Sequence, residues 1–167
     1  SSLITQIYFP RSIPALSSGV TASIMLLTEL IVLGIFMVGF GFIPTSTIIF
    51  LIPVYLLTFF LIVGASLPLS VLNVKYKDVQ FIWTVVLQAG FFLTPIFYEF
   101  SMLPENVRNI LQFNPMVQIV TMVHHVVLYG TFPTINSILY TITSTSVVVV
   151  IGYLIFRKYQ AKIVEEI

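Results

Sequence analysis

Glu29 is the only charged residue between positions 12 and 41, in the middle of an otherwise apolar stretch. An ionisable group at mid-bilayer depth costs about 2.5–3.5 kcal/mol on insertion scales, so it belongs against protein or water rather than lipid. Its chemistry is either that of a conduit-lining or coupling carboxylate, or that of a protonated or hydrogen-bonded group joining two helices. On composition, Gln88 is a partner for the second role. Asn73-Val74-Lys75-Tyr76-Lys77-Asp78 is the densest charge cluster. It suits contact with a partner protein, or orientation by positive charge with Asp78 capping the helix that follows. His124 and His125 are adjacent, so on a helix they diverge by about 100° and cannot chelate one ion from that helix alone. No Asp or Glu lies nearby to complete a metal site. Hydrogen bonding to a carbohydrate or phosphate, or lining of a polar surface, suits them better. Aromatic residues make up 14% of the chain. They fit interfacial belts, or a pathway lined for sugar rings.

Other chemistry is excluded. There is no cysteine, hence no disulfide framework, thiolate zinc site or cysteine nucleophile. No GxxxxGK[ST] phosphate loop, no HExxH pair and no credible Ser/His/Asp set occurs. No internal repeat is evident, and rows of intramembrane acids are missing. The chain is expected to be no enzyme, with no catalytic residue and no metal.

The elements that must carry these residues follow from composition. Of 167 residues 58% are hydrophobic and 8% charged, with mean hydropathy +1.08. A soluble domain carries about 25% charge. A free-standing soluble enzyme, a disordered chain and a basic nucleic-acid binder are therefore excluded, and an integral membrane protein remains. A bilayer core of about 30 Å takes roughly 20 apolar helical residues. Apolar stretches at 13–41, 47–72, 79–98 and 135–156 predict four transmembrane helices. The run Val147-Val148-Val149-Val150-Ile151 is β-branched, but in lipid the backbone must bond within its own segment, so helix prevails. Strands of an outer-membrane barrel would alternate apolar and polar residues. These stretches do not.

Residues 104–130 differ. They predict two short helices, 104–113 and 116–129, separated by Asn114-Pro115, because a residue before proline avoids the helical region. Gly130 suits the final cap. Gln112, Asn114, Gln118, His124 and His125 make this stretch poor lipid-facing material. Charge decides the same question. With four spans, Arg11, Lys75, Lys77, Arg157, Lys158 and Lys162 share one face, and only Arg108 lies on the other. That face is the cytoplasmic one. A fifth span would scatter the cations. The expected fold is all-α and integral to the membrane: four spans, both ends cytoplasmic, and an external re-entrant hairpin between the last two. A cytoplasmic tail is expected at 157–167.

In order along the chain stand Tyr8-Phe9-Pro10-Arg11 before a span, Leu72-Asn73-Val74-Lys75-Tyr76-Lys77-Asp78-Val79 between two spans, Thr94-Pro95-Ile96-Phe97-Tyr98 at the end of the third, then Asn114-Pro115-Met116 and Leu128-Tyr129-Gly130. Together they resemble the ABC-2 family of ABC-transporter permeases, in particular those exporting O-antigen, capsule or teichoic-acid chains. The resemblance implies a six-span protein of which this chain is the last four spans, with two more upstream. It also implies a cytoplasmic coupling helix at 4–11 and an external gate formed by the hairpin. The family loop usually reads Tyr-Arg-Asp where this chain has Tyr76-Lys77-Asp78. Lys keeps the charge and loses the planar fork.

The implied function is the membrane subunit of an ATP-driven exporter of lipid-linked polysaccharide or polyol-phosphate in the cytoplasmic membrane. The implied partners are a second permease copy, cytoplasmic ABC ATPase subunits, membrane lipids and the lipid-linked glycan, and no nucleic acid. ATP and Mg would sit on the ATPase, with no cofactor in this chain. Phe9, Pro10, Arg11, Tyr76, Lys77 and Asp78 are expected to couple to the ATPase. Glu29, Phe91, Phe97, Tyr98, Asn114 and His124 are expected along the pathway or gate. Two other readings stand beside this one: a drug or lipid efflux permease of the same family, and an ATPase-independent channel or scaffold.

Overall fold

The computed structural model describes residues 12–42, 45–76 and 78–165. Among these every regular element is helical. Helix α1 covers Ser12–Gly39. A 3₁₀ turn, Ser46–Phe50, leads directly into α2, Leu51–Lys75. Then follow α3 (Val79–Leu93), a short 3₁₀ turn (Phe100–Met102), α4 (Glu105–Leu111), α5 (Pro115–Val127) and α6 (Ile135–Glu165).

Among the described residues three segments are long and apolar enough to cross a membrane: Gly19–Gly39, Ser46–Val74 and Ile135–Tyr159. They match three of the four stretches expected from the sequence. The fourth, 79–98, is helical only as far as Leu93. At 1.5 Å per residue, α3 is about 22 Å long. It stops because Thr94 must precede Pro95: Thr94 turns extended, at ψ 131°. Pro95 therefore lies beyond the helix and kinks nothing. At the other end of the chain, α6 continues through Arg157 and Lys158 to Glu165 instead of ending at 156. Arg, Lys, Gln and Ala are good helix formers, so leaving the apolar stretch does not end the helix.

Helix α2 is the hub. It packs along α6, and also meets α1, α5 and α3. Contacts fix the directions. Val54 clusters with Ile119 and Met122, with Ile138 beside them, while Val71 pairs with Phe156. So α2 and α6 run parallel. Gly19 faces Val63, and the Tyr55 hydroxyl donates to the Ser23 carbonyl at 3.3 Å. So α1 runs antiparallel to α2.

Lipid tails are as apolar as leucine, so these helices gain little from burial alone and associate by close packing. The α2–α6 seam shows how. Thr141, Thr145, Gly152 and Phe156 are buried on α6 at helical spacing. A Cβ on Gly64 would reach 2.9 Å from the Val149 Cα, and one on Gly152 would overlap the Gly64 carbonyl oxygen. Pro68 lies four residues beyond Gly64 inside α2 and has no N–H, so this carbonyl lacks its helical donor. The Gly152 backbone covers it instead. The Thr145 hydroxyl is buried in the same seam without a hydrogen-bond partner. By contrast Gly34 and Gly39, also small residues in a span, have open space around them.

Candidate functional site

The two short helices near the start of α2 and α6 form the most polar part of the fold. Asn114 caps α5: its side-chain oxygen accepts from the Met116 N–H at 2.9 Å, and Pro115 occupies the first turn, where its missing N–H costs nothing. Asn114 is thus occupied in holding the helix start. Along α5, Val117, Ile119, Met122 and Val126 are buried. Polar bonds fasten the same helix on two sides. The Thr47 hydroxyl donates to the Val126 carbonyl at 3.1 Å, and the Ser137 hydroxyl to the Gln118 amide oxygen at 2.7 Å. The Gln118 amide nitrogen donates to the Gln112 carbonyl at 3.0 Å, and the Tyr140 hydroxyl to the Phe113 carbonyl at 2.9 Å. Gly130 then turns the chain with φ +61°, and the Thr131 N–H returns to the His125 carbonyl.

His124 is half-buried on α5, and burial, then the neighbouring His125, hold its pKa below the usual imidazole value. It therefore favours the neutral ring. His125 lies 3.1 Å from the Thr131 hydroxyl and edge-on to the Tyr129 ring, with centroids 5.6 Å apart. The Tyr129 hydroxyl donates to one oxygen of Glu99 at 2.9 Å, and Ser101 donates to the other at 3.0 Å. Those two bonds, Tyr129 first, hold the Glu99 carboxyl below the ordinary glutamate value. The Glu99 bond in turn raises the Tyr129 phenol. Among the described residues no group of three His, Cys, Asp or Glu is placed to hold a metal ion.

The aromatic residues expected on a pathway do come together. Phe91 meets Phe92 and Phe97 edge-on, at 5.6 and 5.8 Å. The Tyr98 hydroxyl donates to the Phe92 and Leu93 carbonyls, which have no helical donor beyond the end of α3. Phe97 is 85% exposed. Glu29 is exposed on α1. Its side chain forms no bond to Gln88, which sits exposed on α3.

The loop between α2 and α3 carries Tyr76 and Asp78. The Tyr76 N–H closes α2 onto the Leu72 carbonyl, and its own carbonyl accepts from Val79. Asp78 occupies the cap position of α3 but its side chain makes no capping bond, because its backbone is already helical, at ψ −12°. An open groove lined by Leu69, Asn73, Val79, Gln80 and Trp83 lies beside this loop. Phe9, Pro10, Arg11 and Lys77 lie outside the described residues, as does the expected coupling helix at 4–11.

Glu99, Ser101, Tyr129 and Thr131 escape a reading of the sequence because Glu99 and Tyr129 are 30 residues apart and neither belongs to a local motif. The seam residues Gly19 and Gly152 escape it too. Spacing does not distinguish them from Gly34.

The profile of the family described as ABC-2 type transporter matches residues 3–128. Two curated relatives from Klebsiella pneumoniae, each described as O-antigen export system permease protein RfbA, are 26% identical to the chain over 171 residues. The alignments cover 99% of this chain and 64% of each relative, so the chain spans about 64% of the length of the curated relatives it matches.

Proposed function

The chain belongs to the ABC-2 type transporter family, a family of multi-pass membrane proteins, and we propose that it is the permease part of an ATP-driven exporter of lipid-linked polysaccharide. The observation that carries the reading is the family match over most of the chain, and the description of the relatives as O-antigen export permeases supports the substrate class. In this reading four segments cross the membrane. Helix α3, at about 22 Å, is short for a span, and the bends at 94–98 fold the chain back over its last turn, where the Tyr98 hydroxyl meets the Phe92 and Leu93 carbonyls. Both ends of the chain face the cytoplasm, an orientation that puts six of the seven cations on that side. The α4–α5 pair then lies on the outer side and forms a gate that enters the membrane without crossing it.

The permease itself performs no covalent chemistry. ATP and Mg bind a separate ATPase subunit, which docks on Phe9, Pro10, Arg11, Tyr76, Lys77 and Asp78. ATP binding draws two docked ATPases together and biases the helices of two permease copies toward an open conduit. Glu29 faces this conduit or a neighbouring helix, where a carboxyl group is tolerated. Phe91, Phe97 and Tyr98 offer aromatic faces at its outer end, where sugar rings pass His124 and the capped start of α5 at Asn114.

The test is co-purification of the full-length protein with its ATPase from membranes. The wild type should bring down an ATPase whose hydrolysis it stimulates, and Arg11→Glu combined with Lys77→Glu should abolish the association. An intact protein that binds no ATPase refutes the reading. The charge-reversed pair exporting at the wild-type rate would instead remove Arg11 and Lys77 from the docking surface.

A further inference from the structure

Residues 96–110 form a strap between two buried anchors. Thr94 and Pro95 are buried at its start and Leu111 at its end. Between them the chain is largely exposed: Phe97 is 85%, Met102 73% and Ile110 72% accessible. Helix α5 is firmly anchored in contrast. It has four buried apolar residues and bonds to both Thr47 and Ser137. Among the described residues, one side-chain hydrogen bond ties strap to helix, from the Tyr129 hydroxyl to the Glu99 carboxylate. The same carboxylate is held from its other oxygen by Ser101 on the strap, and Tyr129 packs against His125 on α5. Each partner is thus braced on its own side, and among the described residues this is the side-chain hydrogen bond that joins the two sides.

We propose that the Glu99–Tyr129 bond is a latch closing the strap over the end of α5, and that it parts each time the gate admits substrate. This rests on the exporter reading above, with α5 as the fixed wall of the gate and the strap as its moving part. A strap anchored at Pro95 and Leu111 can lift without disturbing the cluster that Ile119 and Met122 of α5 form with Val54, Phe50, Leu57, Leu61 and Ile138, none of which lies on it. Phe97 and Met102 travel with it, moving apolar surface toward or away from the opening. A charge-assisted bond suits the role: it is stronger than a neutral one, yet exposed to water that can replace either partner as it opens.

This chain has no cysteine of its own, and the complex without the introduced pair, treated with the same linker, is the blank for every other thiol. The full-length protein with its ATPase, in proteoliposomes, is assayed for passive leak of a small anionic dye and for ATP-driven glycan export. Glu99→Gln and Tyr129→Phe should each raise the leak several-fold with unchanged melting temperature. The double variant should leak no more than either single, because both remove the same bond. A reducible bis-thiosulfonate linker joining Glu99→Cys to Tyr129→Cys should stop export, and reductant should restore it. Wild-type leak in both single variants, additive effects in the double, or full export by the linked protein would overturn the latch. If no ATPase associates and nothing is exported, the exporter reading fails, while the leak of the single and double variants still decides the latch.

Discussion

Gly152 of α6 sits against the carbonyl oxygen of Gly64 on α2, the one carbonyl that Pro68 deprives of its helical hydrogen bond. Two departures from regular helix chemistry meet at one point. The missing donor leaves an exposed oxygen, and the missing side chain lets the neighbouring backbone shield it with a weak Cα–H contact. This closeness lets two long helices pack in a solvent where apolar burial gives little advantage.

Gly152→Ala should therefore destabilise the protein by about 1–3 kcal/mol, the usual range for overpacking. Thermal melting in detergent should show a clear drop. Gly34→Ala is the control: nothing lies within 4 Å of its added methyl group, so it should be neutral or stabilise α1 by up to about 1 kcal/mol. Equal melting temperatures for the two variants would contradict the seam.

Glu29 gives a separation of stability from transport. Glu29→Leu removes an insertion cost of about 2.5–3.5 kcal/mol, so membrane accumulation should match or exceed the wild type. Export should fall several-fold. Glu29→Gln keeps the hydrogen-bonding capacity and should retain most of it. Export by Glu29→Leu at the wild-type rate would remove Glu29 from the pathway.

Asn114→Ala deletes the cap of α5 and should cost about 1 kcal/mol. Amide exchange at Val117 and Ile119 should quicken about five-fold wherever opening of this helix limits it. Asn114→Asp supplies an equivalent acceptor and should leave exchange unchanged. An unaffected Asn114→Ala would mean that tertiary packing alone holds α5.

The pH dependence of the Glu99–Tyr129 bond follows from the direction of each shift. The Glu99 pKa is lowered in the folded state, so its contribution is present above the ordinary glutamate value of about 4.3 and is lost as pH falls through the depressed one. The Tyr129 pKa is raised, so its contribution is present below the ordinary tyrosine value of about 10 and is lost as pH rises through the elevated one. The contact should thus persist unchanged from pH 5 to 9. Infrared titration of the Glu99 carboxyl, with Glu99→Gln as the blank, should show protonation only below the ordinary range. A midpoint above pH 5 would contradict the contact.

Much of this is legible in the sequence. Runs of twenty and more apolar residues have one solution in lipid, because a backbone without water must satisfy itself within its own helix. The breaks were equally plain: Asn114-Pro115 begins α5 where proline forbids the preceding residue a helical backbone, and Gly130 turns left-handed where expected. The end of α3 is harder, because two local signals conflict: hydropathy continues to Tyr98 while Thr94-Pro95 disfavours helix, and the structure shows that the proline prevails and that Tyr98 folds back to cap the end.

Local chemistry along the chain thus determined the helical class, the apolar segments, the start of α5 and the residue types able to act. Tertiary structure alone decided which small residues matter and which polar ones meet. Gly152 and Gly34 look alike in sequence, and only the approach of α2 distinguishes them. Glu99 and Tyr129, 30 residues apart, become partners only once Pro95 and α5 are both in place. Hydropathy and capping act over a few residues, whereas contact between elements depends on the path of the whole chain.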